Sequence, residues 1–267
     1  MNELVTRTLT GAIYVGLTLG AAWAGPVTTS LLFLPVCLQA AYEMHRLSTH
    51  NCPQAAVLGP MLAAAVVYIT VVLTGILPGF GVLPAMAVLF LVVFVAVVEL
   101  LWRPGSAPAL EIGPLLMVVC LVAVPFGLIS LLMRNGPELF IGFMLLLWTN
   151  DTGAYLVGKA WGRTPLLPRT SPKKTIEGLV GGILLAMAIG LLLAQFWAVL
   201  STREWLVAAA IVAITSTVGD LLESALKREA GVKDSGDLLP GHGGVLDRFD
   251  GFLLALPAMV LTVAVLH

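Results

Sequence analysis

Charge is what this sequence has least of. Only 11% of its 267 residues are Asp, Glu, Lys or Arg, where an ordinary soluble domain carries about 25%. Fourteen basic and fifteen acidic side chains are too few to wet a globule of this size. That shortage excludes a soluble domain, a disordered chain and a coiled coil. A formal net charge of −1 says nothing about nucleic acid, but no basic tract of that kind appears, and no nucleic-acid partner is expected. Cysteine is scarce too. Cys37, Cys52 and Cys120 stand far apart with no CxxC, so neither a disulfide framework nor a cysteine metal site is supported. Cys37 and Cys120 fall inside apolar runs and read as small core residues.

What the chain has is hydrophobicity: 59% apolar residues and a mean hydropathy of +1.00. The apolar runs have helix length, not barrel-strand length. They predict an all-α, polytopic membrane bundle forming one domain over 1–267. About nine spans are expected, at 9–24, 27–44, 55–77, 82–102, 110–133, 138–158, 178–199, 204–226 and 249–266. The first could also pass for a signal peptide, with Arg7 before the apolar stretch and Ala22-Trp23-Ala24 ahead of Gly25. Nothing secreted follows, and the other spans continue as a membrane bundle.

Nine spans put the termini on opposite sides. Twelve of the fourteen basic residues then share the N-terminal side, and only Arg134 and Arg203 lie on the other. The positive-inside rule makes the N-terminus cytoplasmic and His267 external. Dense polarity is confined to two stretches on the cytoplasmic side, about 150–177 and 227–250.

Several charges are too costly in a span to be incidental. Asp151 follows an apolar run, with Tyr155 and Gly158 at i+4 and i+7. Asp220 is followed by Glu223, Ser224 and Lys227 at i+3, i+4 and i+7, which lines two carboxylates, a hydroxyl and an ammonium along one helical stripe. A charge at the centre of a span costs about 2.5–3.5 kcal/mol on insertion scales, so such groups usually face a polar interior. Pairing with a nearby base at the interface is the plainer alternative. Asp247 and Asp250 stand i, i+3 at the entry to the last span. Between them and Lys227 runs a loop with Pro240, Gly241, His242, Gly243 and Gly244, whose bare backbone could approach an anion. Carboxylates without cysteine or HExxH suit Mg²⁺ rather than Zn²⁺, and neighbouring Lys and Arg suit phosphates. There is no GxxxxGK[ST] and no GxSxG. The residues alone point to a cytoplasm-facing, Mg²⁺-dependent site for phosphate chemistry on something in the membrane.

The stretch from Ser224 to Asp250 resembles the signature of the phosphatidate cytidylyltransferases, or CDP-diacylglycerol synthases. Ser224, Leu226, Lys227, Arg228, Lys233, Asp234, Gly236, Leu239, Pro240, His242, Gly243, Gly244, Val245, Asp247, Arg248, Phe249 and Asp250 fill its places. Asn150 to Gly178 resembles the family's second cytoplasmic motif. The resemblance implies an all-helical membrane enzyme that joins CTP and phosphatidic acid into CDP-diacylglycerol and pyrophosphate. The phosphatidate oxygen is already anionic, so the chemistry needs alignment and charge neutralisation rather than a general base. On this reading Asp220 and Asp247 are metal ligands, helped by Glu223 and Asp250. Lys227, Arg228, Lys233 and Arg248 surround the reacting phosphates.

Asp151, Ser171, Lys173, Lys174, Ser224, Asp234, His242, Gly243 and Gly244 are the substrate-binding candidates. Attraction to anionic headgroups is the alternative for the two lysines. Lys227 is expected to aim at the triphosphate; Arg228 takes the phosphatidate phosphate or closes the helix end. Gly158-x-x-x-Gly162 reads as helix packing. The expected cofactor is Mg²⁺, with a second cation and a homodimer left open; the partners are CTP, phosphatidic acid and the bilayer of the cytoplasmic membrane. A CTP-dependent polyprenol kinase, an archaeol cytidylyltransferase and a transporter are the rival readings.

Overall fold

The computed structural model describes residues 3–51, 56–102, 108–134, 136–236 and 243–266. Among the described residues eight helices are long and apolar enough to cross a membrane, against nine spans expected, the first region giving a shorter apolar stretch at Gly11–Ala24; the chain is a multi-pass helical membrane protein. Its contacts gather into two compact units. Met1–Pro137 and Asp234–Leu246 form one, and Glu138–Lys233 with Asp247–His267 form the other.

The first unit holds α1 (Glu3–Ala24), α2 (Pro26–Ser48), α3 (Leu58–Ile76) and α4 (Val82–Trp102). Pro26 starts α2 at its first turn, where a missing N–H costs nothing. The expected span at 110–133 is a broken helix, α5. It runs Pro108–Leu116, widens to a π-helix over Met117–Ala123, and ends as Val124–Gly127 and Ile129–Leu132. Pro125 has no N–H to give the carbonyl one turn back, and the widened stretch lies just ahead of it. Phe33 and Phe126 meet in the core with ring centroids 6.0 Å apart, and the Tyr68 hydroxyl donates to the Ser30 carbonyl at 2.6 Å. In α4 only Leu100 is buried, which is the pattern of a helix apolar all round and facing lipid. Cys37 is a core residue as expected. Cys120 is not: it is exposed, because a helix facing lipid can leave small apolar groups on its outer surface.

The second unit holds α6 (Glu138–Trp161), a hairpin of β1 (Pro165–Leu167) and β2 (Ser171–Thr175), α7 (Ile176–Phe196), α8 (Thr202–Glu229) and α9 (Leu246–Leu266); the second unit takes α9 from Asp247 onward. The hairpin is antiparallel and adds a small sheet to the all-helical expectation. Glycine lets α6 and α7 touch along their backbones. A Cβ on Gly153 would sit 3.0 Å from the Gly181 carbonyl oxygen, and one on Gly178 would sit 2.8 Å from that of Ala154. Gly158 also packs here, near the Gly178 Cα. Gly162 lies beyond the last helical residue and closes over Thr175. Trp205, fully buried, fits against Gly142 and Gly190. Phe143 and Phe252 pack edge to face at 5.6 Å, joining α6 to α9.

Candidate active site

The acids of α8 and α9 come together because these helices cross on glycine. A Cβ on Gly219 would lie 2.5 Å from the Asp250 carbonyl oxygen, and one on Gly251 would lie 3.1 Å from the Ser216 Cβ. That close crossing sets Asp220 and Glu223 beside Asp250. One carboxylate oxygen from each lies within 4.8 Å of the other two. Asp151 of α6 belongs to the same electrostatic neighbourhood, facing Asp220 and Asp250. Asn150 fixes the level of α6. Buried to 1% exposure, it donates its amide to the Ser216 hydroxyl at 2.9 Å.

The predicted stripe on α8 exists, and its members have divided roles. Ser224 donates to Asp220 at 3.3 Å, restraining that carboxylate. Lys227 lies 2.5 Å from Glu223 and 2.6 Å from Asp247. The ammonium expected to aim at a triphosphate is thus engaged by two carboxylates, and Asp247 gives one oxygen to it. Glu223 is 2% exposed, so this pairing keeps its charge inside the unit. Arg228 takes the other course foreseen for it. Its guanidinium donates to the Val232 carbonyl at 3.2 Å beside a closed helix end. There Val232 N–H reaches the Lys227 carbonyl, Gly231 N–H reaches that of Arg228, and Gly231 adopts φ +69°. This is the Schellman closure of a helix C-terminus.

The unit holds an open cavity of about 690 Å³. Asp151, Ser171, Lys173, Lys174, Asp220, Asp247, Arg248 and Asp250 all line it, with Asn150, Tyr155, Lys159 and Ser216. Lys174 forms an ion pair with Asp220. Glu223, Ser224, Lys227, Arg228 and Lys233 are not among the described lining residues; the first three act on the acids that are. Asp234, Gly243 and Gly244 belong to the segment that joins the first unit. His242 and His267 lie outside the described residues.

Two holding groups of this unit were missed by sequence reasoning. Asn150 was quoted only as part of a motif; an amide in an apolar run next to an acid was the available signal. Glu177 was not singled out at all. It stands in the first turn of α7 and accepts N–H bonds from Arg163 and Thr164 at 3.1 Å and the Thr164 hydroxyl at 2.9 Å. It thereby ties down the start of the hairpin that presents Ser171, Lys173 and Lys174.

Residues 5–266 match the profile of the cytidylyltransferase family. A phosphatidate cytidylyltransferase of Brucella suis biovar 1 (strain 1330) is 34% identical over 98% of this chain and 93% of its own length. One from Staphylococcus haemolyticus (strain JCSC1435) is 40% identical over 54% of this chain. One from Staphylococcus aureus (strain COL) is likewise 40% identical over 54% of this chain. The match to these staphylococcal proteins spans 56% of their length.

Proposed function

The chain belongs to the cytidylyltransferase family, and we propose that it transfers the cytidylyl group of CTP to phosphatidic acid, giving CDP-diacylglycerol and pyrophosphate. The observation that carries the reading is the cavity of the second unit. Carboxylates from α6, α8 and α9 meet lysines from the β2 strand and Arg248 there, in a chain whose relatives bear that enzyme's name.

In the reaction an anionic phosphatidate oxygen forms a bond to the α-phosphorus of CTP. The bond from that phosphorus to the β-phosphate bridge breaks, and pyrophosphate leaves with the electron pair. No proton need be removed from the nucleophile. The protein must instead bring two polyanions together and offset their repulsion. Lys173 and Arg248, both exposed on the cavity wall, would take phosphate oxygens. Lys174 would do so from its place beside Asp220. The closely set oxygens of Asp220, Glu223 and Asp250 form the hard donor set that suits Mg²⁺. Asp247 stands beside them through Lys227. Mg²⁺ held there would neutralise charge on the triphosphate and on the departing pyrophosphate. The twelve-to-two distribution of basic residues supports a site facing the cytoplasm and a C-terminus on the far side.

The test uses purified protein in sealed vesicles containing phosphatidic acid, supplied with Mg²⁺ and CTP labelled at the α-phosphate. Labelled lipid and released pyrophosphate are expected. Release of CDP with a newly phosphorylated lipid would make the chain a kinase, and no lipid product at all would overturn the reading. With CTP outside, inside-out membrane vesicles should be active and right-side-out ones silent; the reverse would invert the orientation. Asp220→Asn should lower kcat/KM by about 10²–10³-fold, the loss typical of removing charge stabilisation from a reacting centre. Near-normal activity at saturating Mg²⁺ would remove Asp220 from the site.

A further inference from the structure

Glu43 is a carboxylate near the C-terminal end of α2, 2% exposed, and the chemistry above makes no use of it. Its hydrogen bonds all but fill it. One oxygen accepts the Val245 N–H at 3.1 Å and the Gln39 amide at 2.9 Å. The other accepts the Leu246 N–H at 2.7 Å and the Ser235 hydroxyl at 2.9 Å. Apart from Gln39, one turn away, these partners lie 192 to 203 residues downstream, within the segment Asp234–Leu246 that packs with the first unit. Glu43 therefore holds that segment at both ends. It also satisfies the N–H of the first residue of α9, which has no partner within its own helix.

The glycines of the segment answer to the same carboxylate. A Cβ on Gly236 would meet Glu43 and nothing nearer, at 2.8 Å from Oε1 and 3.0 Å from Cδ. A Cβ on Gly244 would run into the Ser235 hydroxyl and the other Glu43 oxygen. Bare backbone at these two signature positions thus has an internal cause, the approach of a buried anion, and needs no ligand to explain it.

We propose that Glu43 is a positioning residue for the reaction, acting by clamping segment 235–246 through Ser235, Val245 and Leu246. It touches neither substrate. Two signature residues, Lys233 and Asp247, lie just beyond the clamped segment in sequence, and Gly243 and Gly244 lie within it. A carboxylate matches this set of donors, whereas an amide would turn donors toward some of them. The inference rests on the cytidylyltransferase reading for its kinetic part and on geometry alone for the clamp.

Five proteins in detergent decide it: wild type, Glu43→Gln, Gly236→Ala, and Glu43→Ala with and without Gly236→Ala. Amide hydrogen exchange and steady-state kinetics are measured on monodisperse material. Glu43→Gln should speed exchange at Val245 and Leu246 and leave α3 protected. It should also lower kcat by about 10²-fold with little change in either KM, the cost of holding a site about an ångström out of place. Gly236→Ala should behave alike on its own, yet add nothing in the Glu43→Ala background, where its methyl has room. Unchanged exchange in Glu43→Gln would overturn the clamp. Faster exchange with normal kcat, or a rise confined to KM, would overturn the positioning role. Additive effects of Gly236→Ala and Glu43→Ala would place Gly236 against something other than Glu43. An inactive wild type would sink the functional reading alone, and the exchange and coupling results would still decide the clamp.

Discussion

The two polar segments between helices are secured by the same device at different depths. In the hairpin region, the Glu177 carboxylate collects N–H groups of Arg163 and Thr164 at the surface. In the segment after α8, the Glu43 carboxylate collects those of Val245 and Leu246 in the interior. Water can replace what Glu177 gives, so that hold is cheap to lose. Nothing replaces what Glu43 gives, because a buried donor left unpaired pays its full desolvation cost. Depth, more than the count of hydrogen bonds, decides how firmly each segment is held.

The largest test of that contrast is the most buried charge pairing. Lys227→Met strands Glu223 and Asp247 without their shared ammonium. Breaking a buried pair in this way should cost about 3–5 kcal/mol of stability, read as a lowered midpoint of unfolding in mixed micelles. Adding Glu223→Gln should recover part of it; no recovery would mean that Lys227 is not held chiefly by Glu223. Next comes Ser235→Ala, which removes one donor from Glu43 and leaves the others. About 1 kcal/mol is expected, by the same measurement, and a loss as large as that from Lys227→Met would break the ranking. Glu177→Gln is the smallest. The unfolding midpoint and turnover should stay close to wild type, since surface donors rehydrate. A sharp fall in turnover would show that the hairpin depends on the Glu177 charge, and the distinction by depth would fail there.

The stripe of Asp220, Glu223, Ser224 and Lys227 was legible because a helical period of 3.6 acts within a few residues of itself. Its internal pairings, Ser224 to Asp220 and Lys227 to Glu223, follow from spacing alone. The third partner does not. Asp247 lies 20 residues beyond Lys227, and no periodicity reports which ammonium a carboxylate on another helix will meet. The same limit hid Glu43, whose contact with Ser235 spans 192 residues. It also obscured Asn150, whose partner Ser216 is 66 residues away. The hairpin escaped for a different reason: three prolines in eight residues, at 165, 168 and 172, read as loop, and so short a sheet has no alternating apolar pattern to announce it.

By itself the sequence determined that this chain is helical and lives in a membrane, where eight of its nine expected spans lie, and which local stripe carries charge. Those features depend on transfer energies and on repeats within one helix, and both are summed over neighbours in the chain. Tertiary structure alone decided that Lys227 also serves Asp247, that Asn150 meets Ser216, and that Gly236 and Gly244 make way for Glu43. Ion pairs, hydrogen bonds and close backbone contacts fall off within a few ångströms, and which distant residues come that near is settled only when helices cross at their glycines.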